Sequence, residues 1–187
     1  VLSRLAVEMK KMPFQYEKYS IETWMENVYR LFTDRNFVIY DEAHEPVGYA
    51  SSVWAMISMQ TRKPANLLSL HNGEIVNYAL AEGCPIEKTS RIKVGSPTLK
   101  GTYKVKYSDI DINGHTNSVK TIEHILDLFP YEYFKEGIQR FEIAYVAESY
   151  FGDTLFFYVE ELDEKHVVIE VKCNDETVVC RSSIRFY

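Results

Sequence analysis

The sequence predicts an α+β fold in which one strand-rich unit occurs twice in tandem. Most of the chain alternates apolar and polar residues with the period of two that half-buried strands require. Only one stretch, from Val119 to Phe129, spaces apolar residues three and four apart, as an amphipathic helix does. At 187 residues the chain is long enough for one domain or for two small ones, and an internal repeat favours two.

The repeat appears when residues 17–56 are placed without a gap on residues 148–187, an offset of 131. Nine of the forty pairs are then identical, including Glu17 with Glu148, whereas chance would give roughly two or three. In the second copy a strand and the helix precede the repeated segment. The first copy is therefore expected to lack its opening strand and helix, and the native protein to extend further at its N-terminus.

Hydrophobic patterning places most of the strands. In the first half, strands are expected at Leu2–Met9, Tyr19–Phe32, Phe37–Tyr40 and Val47–Ile57. In the second half, a strand at Tyr103–Tyr107 and a helix at 118–129 are followed by strands at Phe141–Ala147, Thr154–Leu162, 166–173 and Val178–Tyr187. The glycine- and proline-rich stretch between them predicts an N-terminal domain over 1–61, a linker over 62–98 and a C-terminal domain over 99–187.

Composition narrows the class of protein. The formal charge of −6 argues against a nucleic-acid binder, and no apolar run is long enough to predict a membrane-spanning helix. Residues 1–15 do not have the layout of a signal peptide. Three cysteines at unpatterned spacings indicate reduced thiols in a cytoplasmic protein, with neither a disulfide framework nor a metal site.

The candidate site is the junction between the predicted strand and helix. Five polar residues alternate through it: Asp109, Asp111, Asn113, His115 and Asn117. Asn117 or Ser118 is expected to cap the helix. A carboxylate, an amide and an imidazole beside the N–H groups of a helix N-terminus form a set that can hold a carbonyl oxygen and orient a water molecule.

Three segments carry a resemblance to a known family. The run Asp111–Val119 is similar to the D-x-N-x-H-x-N-N signature of plant and bacterial fatty acyl-ACP thioesterases, and Tyr145–Ser149 resembles their second catalytic segment. The tryptophan-containing stretch Arg35–Met56 resembles their N-terminal half. The resemblance implies a tandem hotdog fold and hydrolysis of fatty acyl-[acyl carrier protein] to free fatty acid, which ends chain elongation. It implies acyl carrier protein as the partner and no cofactor.

The resemblance also implies a set of catalytic residues: Asp111, Asn113, His115 and Glu148. Glu148 is interpreted as the base that activates water, with a nucleophilic role through an anhydride as the less favoured alternative. His115 and Asn113 would position the water or the carbonyl, and Asp111 would orient one of them. Backbone N–H groups from Gly114 to Asn117 are expected to stabilise the oxyanion.

Substrate-binding residues are expected in both halves. Gly114 and Asn117 are expected to contact substrate at the junction. Trp24 and Trp54 are interpreted as core residues or as walls of an acyl tunnel, with core favoured on spacing alone. A single active site in the second half is expected, with the first half shaping the acyl pocket. The plant enzymes carry a cysteine after the catalytic glutamate; here that position is Ser149, a weaker candidate nucleophile.

Several alternatives stay open. An acyl-CoA thioesterase or a non-catalytic acyl-binding hotdog protein is compatible with the sequence, whereas a dehydratase would not need this set of four residues. The basic stretch that contains Lys88, Arg91 and Lys93 is interpreted as a solvated linker in preference to a docking strip for an acidic partner. A homodimer is also open. By strict alternation Glu148 faces away from the helix of its unit, which fits a site between units, a β-bulge or an ordinary surface glutamate.

Overall fold

The computed structural model describes residues 1–187, which separate into two compact units. Unit 1 comprises Val1–Ser90 and unit 2 comprises Arg91–Tyr187. The division falls inside the segment 62–98, for which the sequence predicts a linker.

Unit 1 is an antiparallel sheet of four strands without an α-helix. The strands are β1 (Leu2–Met9), β2 (Ser20–Val28), β3 (Phe32–Tyr40) and β4 (Pro46–Ala55), in the order β2-β3-β4-β1. The segment Leu67–Tyr78 contains two short 3-10 helices separated by a kink. Within the described chain, unit 1 thus has no counterpart of an opening strand and helix, as the repeat predicts.

Strand β3 begins five residues before the predicted start at Phe37. The residues missed by the prediction include Thr33, Asp34, Arg35 and Asn36, which lack the apolar alternation of a half-buried strand. They nevertheless pair with β2 on one side and β4 on the other. A central strand satisfies its backbone groups on both edges, so its polar side chains do not prevent pairing.

Unit 2 is a five-stranded antiparallel sheet with one α-helix. Its elements are β5 (Thr98–Lys104), α1 (Ser118–Leu126), β6 (Ile138–Tyr145), β7 (Thr154–Asp163), β8 (His166–Cys173) and β9 (Thr177–Phe186). The strand order is β6-β9-β8-β7-β5. Asn174 and Asp175 join β8 to β9 with φ of 50° and 60°, as a tight hairpin turn requires.

The connection from β5 to α1 departs from the predicted bounds. β5 ends at Lys104 instead of Tyr107, and Tyr107 is 86% exposed. The Lys106 N–H donates to the Asp109 carboxylate at 2.7 Å, which starts a 3-10 turn over Tyr107–Asp109. Asn117 caps α1 by accepting a hydrogen bond from the Val119 N–H at 2.8 Å, which confirms one of the two predicted caps.

The two units share one strand topology, but the sequence offset between equivalent strands is not constant. The bounds of β4 and β9 differ by 131 throughout, as the ungapped repeat predicts, but those of β1 and β6 differ by 136. The loops after β1 and β6 each turn through a left-handed residue, Tyr16 (φ 71°) and Gly152 (φ 87°). In each loop the next residue donates its N–H to the carbonyl three positions earlier. Glu17 therefore corresponds in structure to Asp153, and its pairing with Glu148 is wrong.

Candidate active site

A β-bulge at the end of β6 determines where Glu148 points. The N–H groups of Val146 and Ala147 both donate to the carbonyl of Val179, at 2.8 and 3.2 Å, so two residues lie opposite one. The extra residue interrupts the alternation of side chains along the strand. Of the three explanations that the sequence allows, the bulge is the one found within unit 2.

The bulge brings Glu148 to His115. Oε2 of Glu148 lies 3.3 Å from Nε2 of His115, and the two side chains are 38% and 20% exposed. The Tyr150 hydroxyl donates to the same Glu148 oxygen at 3.1 Å. The Tyr150 ring also meets the His115 ring edge-on, with centroids 5.2 Å apart. A carboxylate and an imidazole thus lie together at a partly solvated position, where proton transfer to or from water is feasible.

Asp111 organises the loop that carries Asn113 and His115. Its carboxylate accepts the Asn113 N–H at 2.8 Å, the Asn113 amide at 3.4 Å and the His115 N–H at 3.4 Å. Burial would raise the pKa of the Asp111 carboxyl, but the hydrogen bonds from Asn113 and His115 outweigh it and lower the pKa. A side chain at Gly114 would meet only open space, so it is the φ of 82° that favours glycine there.

Three hydrogen bonds tie this loop to the loop of Glu148. Thr116 donates its N–H and its hydroxyl to the Ser149 carbonyl at 2.8 and 3.1 Å, and the Ser149 hydroxyl donates to Thr116 Oγ1 at 2.8 Å. Ser149 is 6% exposed. Its hydroxyl proton is held by a threonine, which removes the support for Ser149 as a nucleophile. This connection fixes the separation of the neighbouring residues His115 and Glu148.

The backbone donors expected for the oxyanion are already engaged. The N–H of Gly114 donates to Asp111 O, that of His115 to the Asp111 carboxylate, that of Thr116 to Ser149 O and that of Asn117 to Asp109 O. They are not available to a substrate in this conformation. The Asn117 side-chain oxygen is likewise occupied as the helix cap.

Asp109 is a buried residue that holds the site loop in place. Nothing in the sequence signals this role beyond the position of Asp109 in the junction. Its carboxylate, 3% exposed, accepts from the Tyr103 hydroxyl at 3.0 Å and the Lys106 N–H at 2.7 Å, and lies 3.1 Å from His124 Nε2. Burial alone would raise the pKa of Asp109, but these partners lower it. Asp109 thereby connects β5, the site loop and α1.

The two tryptophans lie in unit 1, and neither belongs to the buried core. Trp24 is partly exposed and donates its indole N–H to the Glu82 carbonyl at 2.7 Å. Trp54 is 39% exposed and lines a cavity of about 560 Å³ together with Met25, Met56 and Leu67. The favoured assignment of both tryptophans to the core is therefore wrong, because Trp24 lies on the edge strand β2 and Trp54 faces a cavity near the end of β4. Trp54 is a cavity wall.

No helix in the structure is both long and apolar enough to cross a membrane. No group of three or more histidine, cysteine, aspartate or glutamate side chains is arranged to hold a metal ion.

Comparison with known families then places the chain. The family model of the acyl-ACP thioesterase N-terminal domain matches residues 1–70, and that of the acyl-ACP thioesterase C-terminal domain matches residues 95–186. A solved acyl-ACP thioesterase from Bacteroides thetaiotaomicron is 60% identical with a TM-score of 0.93, and the match covers 100% of this chain and 76% of that one.

Plant proteins are similar at greater distance. The chloroplastic oleoyl-acyl carrier protein thioesterase of Coriandrum sativum is 25% identical over 190 residues, which cover 91% of this chain and 50% of the relative. The 12:0-ACP thioesterase from Umbellularia californica shares the fold, with a TM-score of 0.84 at 17% identity over 100% of this chain and 74% of that one. The chain spans about a third to a half of the length of the curated plant relatives it matches.

These matches confirm the predicted class: a hotdog fold, with a helix and an antiparallel sheet in unit 2 and a related sheet in unit 1. The chain belongs to the acyl-ACP thioesterase family.

Proposed function

We propose that this protein hydrolyses the thioester of fatty acyl-[acyl carrier protein] to free fatty acid and holo-acyl carrier protein, ending chain elongation. The observation that carries the proposal is the 3.3 Å approach of Glu148 to His115, whose loop also carries Asn113, in a chain of the acyl-ACP thioesterase family. A base next to an imidazole and an amide can activate water and position a carbonyl without a serine or cysteine nucleophile.

In the proposed reaction, Glu148 removes a proton from a water molecule held by His115. The water oxygen bonds to the thioester carbon, and the carbonyl electrons move onto oxygen. When the tetrahedral intermediate collapses, the carbon–sulfur bond breaks and the thiolate takes the proton that Glu148 received from water, either directly or relayed through His115. The products are a carboxylic acid and a thiol. Direct attack by the Glu148 carboxylate, through an anhydride, is the less favoured alternative.

Asn113 is the proposed donor to the oxyanion. A side-chain amide carries two N–H hydrogens. One points to the Asp111 carboxylate at the long distance of 3.4 Å, and the Asn113 backbone N–H is held by the same carboxylate at 2.8 Å. Asp111 thus holds one hydrogen of the amide, and the second hydrogen is the one proposed to donate to the oxyanion. We assign Asp111 as the residue that positions Asn113.

The cavity of unit 1 is the proposed site for an acyl chain. Its volume of about 560 Å³ is in the usual range of ligand pockets, and its lining is largely apolar. Ala55 lines the cavity, so Ala55→Leu is expected to shift the preference toward shorter chains. The matched control is Ala43→Leu in the exposed turn after β3, which should leave the chain-length profile unchanged. An unchanged profile for Ala55→Leu would place the acyl chain elsewhere.

The deciding experiment measures thiol release from acyl-acyl carrier protein and acyl-CoA substrates of equal chain length. The wild-type protein is expected to cleave the carrier-protein thioester with the higher kcat/KM, and Glu148→Gln to lose at least about 100-fold in kcat. A preference for the CoA thioesters would favour the acyl-CoA thioesterase alternative. Tight binding of both substrates without thiol release would favour an acyl-binding protein.

A cytoplasmic location and a homodimer are further proposals. The three cysteines form no disulfide, which supports a reducing compartment. The homodimer is the oligomeric state that the sequence leaves open. Light scattering coupled to gel filtration would give the oligomeric state, and fractionation of cells that produce the protein from its complete gene would give the compartment.

A further inference from the structure

Tyr150 contacts both members of the proposed acid–base pair, although no motif in the sequence marks it. We propose that Tyr150 is a positioning residue that orients the Glu148 carboxylate and keeps it ionised. This inference rests on the proposed function, because it assigns Tyr150 a task only if Glu148 acts as the base.

The contacts converge on one oxygen atom. Oε2 of Glu148 accepts the Tyr150 hydroxyl at 3.1 Å and lies 3.3 Å from Nε2 of His115. The ring of Tyr150 stands nearly perpendicular to the ring of His115, at 79° with centroids 5.2 Å apart. The three side chains therefore touch in pairs, and displacement of Tyr150 would change the position of both partners.

Tyr150 is itself held by the turn that leads into β7. Its N–H donates to the Asp153 carboxylate at 2.8 Å, and the Asp153 N–H returns to the Tyr150 carbonyl at 3.1 Å. Gly152, with a φ of 87°, allows this turn to close. A tyrosine side chain has only two χ angles, so once its backbone is held few rotamers remain for its hydroxyl.

The chemical consequence concerns the protonation of Glu148. A hydrogen bond donated to a carboxylate favours its ionised form. A phenol provides this bond without a positive charge, so it orients the base without neutralising it. A residue that only packed against His115 would give the ring contact but would not affect when the carboxylate takes up a proton.

Tyr150→Phe separates these two roles because it keeps the ring and removes the donor. The measurement is kcat/KM against pH, whose acid limb reports protonation of the proposed base. We expect the acid limb to move upward by about 0.5–1 pH unit, with KM near neutral pH within about twofold of wild type and an unchanged melting temperature. Tyr158→Phe is the matched control, since Tyr158 also donates to a carboxylate, that of Asp175, in another part of unit 2. It should leave the profile unchanged.

A double variant tests whether Tyr150 acts through Glu148. Tyr150→Phe should have no further effect on the residual rate of Glu148→Gln, because the base is already absent. An acid limb that stays in place, or an equal effect of Tyr150→Phe in both backgrounds, would overturn the inference while leaving the proposed function intact. Full activity of Glu148→Gln would instead show that Glu148 is not the base, and absence of thiol release by the wild-type protein would overturn the proposed function itself.

Discussion

His115 and Glu148 come from two different loops, yet Nε2 of His115 lies 3.3 Å from Oε2 of Glu148. The pair is assembled by a bulge on one side and by the Asp111 turn on the other, and the Thr116–Ser149 hydrogen bonds hold the two loops at a fixed separation. The geometry of the candidate site therefore depends on the backbone as much as on the side chains that are proposed to perform the chemistry.

Single alanine substitutions of Asp111, Asn113 and His115 are each expected to lower kcat by about 100-fold or more, because each removes a group that positions or transfers charge in the transition state. Thiol release measures the loss, and circular dichroism checks the fold. Glu17→Ala is the control: Glu17 is an exposed side chain of unit 1, and its replacement should be nearly silent. If one of these three variants kept wild-type turnover, the substituted residue would have no part in the mechanism.

Ser149→Ala is expected to affect stability more than turnover. The substitution deletes one of the three bonds between the loops and leaves the Thr116 hydroxyl with one partner fewer, which costs about 1 kcal/mol of unfolding free energy. Chemical denaturation measures this loss. Turnover should stay within about threefold of wild type, since the serine hydroxyl has no chemical step to perform. A collapse of kcat with normal stability would restore the serine as a nucleophile.

Asp109→Asn tests the buried carboxylate behind the site through the pH dependence of stability. The pKa of Asp109 in the folded state lies below its ordinary value of 3.8. Its ionised form therefore stabilises the fold at pH values above 3.8, and this contribution is lost as pH falls through the folded-state pKa.

The difference in unfolding free energy between wild type and Asp109→Asn should accordingly be greatest near pH 6 and shrink as the pH is lowered toward about 3. Urea denaturation at a series of pH values measures it. Glu42→Gln, in the exposed turn after β3, is a control for the removal of one carboxylate. A difference that is constant across the pH range would show that the charge of Asp109 does not matter.

Charge reversal tests whether the basic stretch docks an acidic carrier. Arg91 and Lys93 are exposed, whereas Lys88 is already paired with Glu26 at 2.6 Å and lies 3.7 Å from Asp34. Reversing Lys88 would place three negative charges together and disturb unit 1, so it is left unchanged.

The double variant Arg91→Glu/Lys93→Glu should raise the KM for acyl-acyl carrier protein severalfold, and more at low salt, while leaving acyl-CoA hydrolysis unchanged. Lys135→Glu/Lys165→Glu makes the same change in net charge at other exposed positions and should have little effect. Equal changes with both substrates would exclude a docking role for Arg91 and Lys93.

The strands that could be predicted are those whose side chains alternate in polarity. β8 follows the predicted range 166–173, and β7 and β9 begin or end within a residue of prediction. In β7 and β8 the buried face is apolar at every second position, and in β9 the one polar residue of that face is the buried Ser182. The start of β3 was missed because residues 33–36 are polar, and the end of β5 was misplaced because Asp109 accepts the Lys106 N–H. Neither cause is visible in hydrophobic periodicity.

The sequence predicted the identities of the candidate site residues better than it predicted their arrangement in space. The residue types of Asp111, Asn113, His115 and Glu148 indicated the chemistry, but alternation pointed Glu148 away from the helix. The bulge that reverses this depends on two N–H groups sharing the Val179 carbonyl, a backbone arrangement with no residue signature here. The roles of these four residues stay predictions that the substitutions above would test.

The extra residue at Val146 and Ala147 has a consequence for how such a site can arise or be lost. No substitution at Glu148 itself changes the face on which that side chain emerges, whereas deleting a single codon at the bulge would turn it to the opposite face. The β6–β9 ladder would survive such a deletion. In this chain, the insertion or deletion of one residue in β6 is thus expected to disrupt the candidate site more completely than most single substitutions.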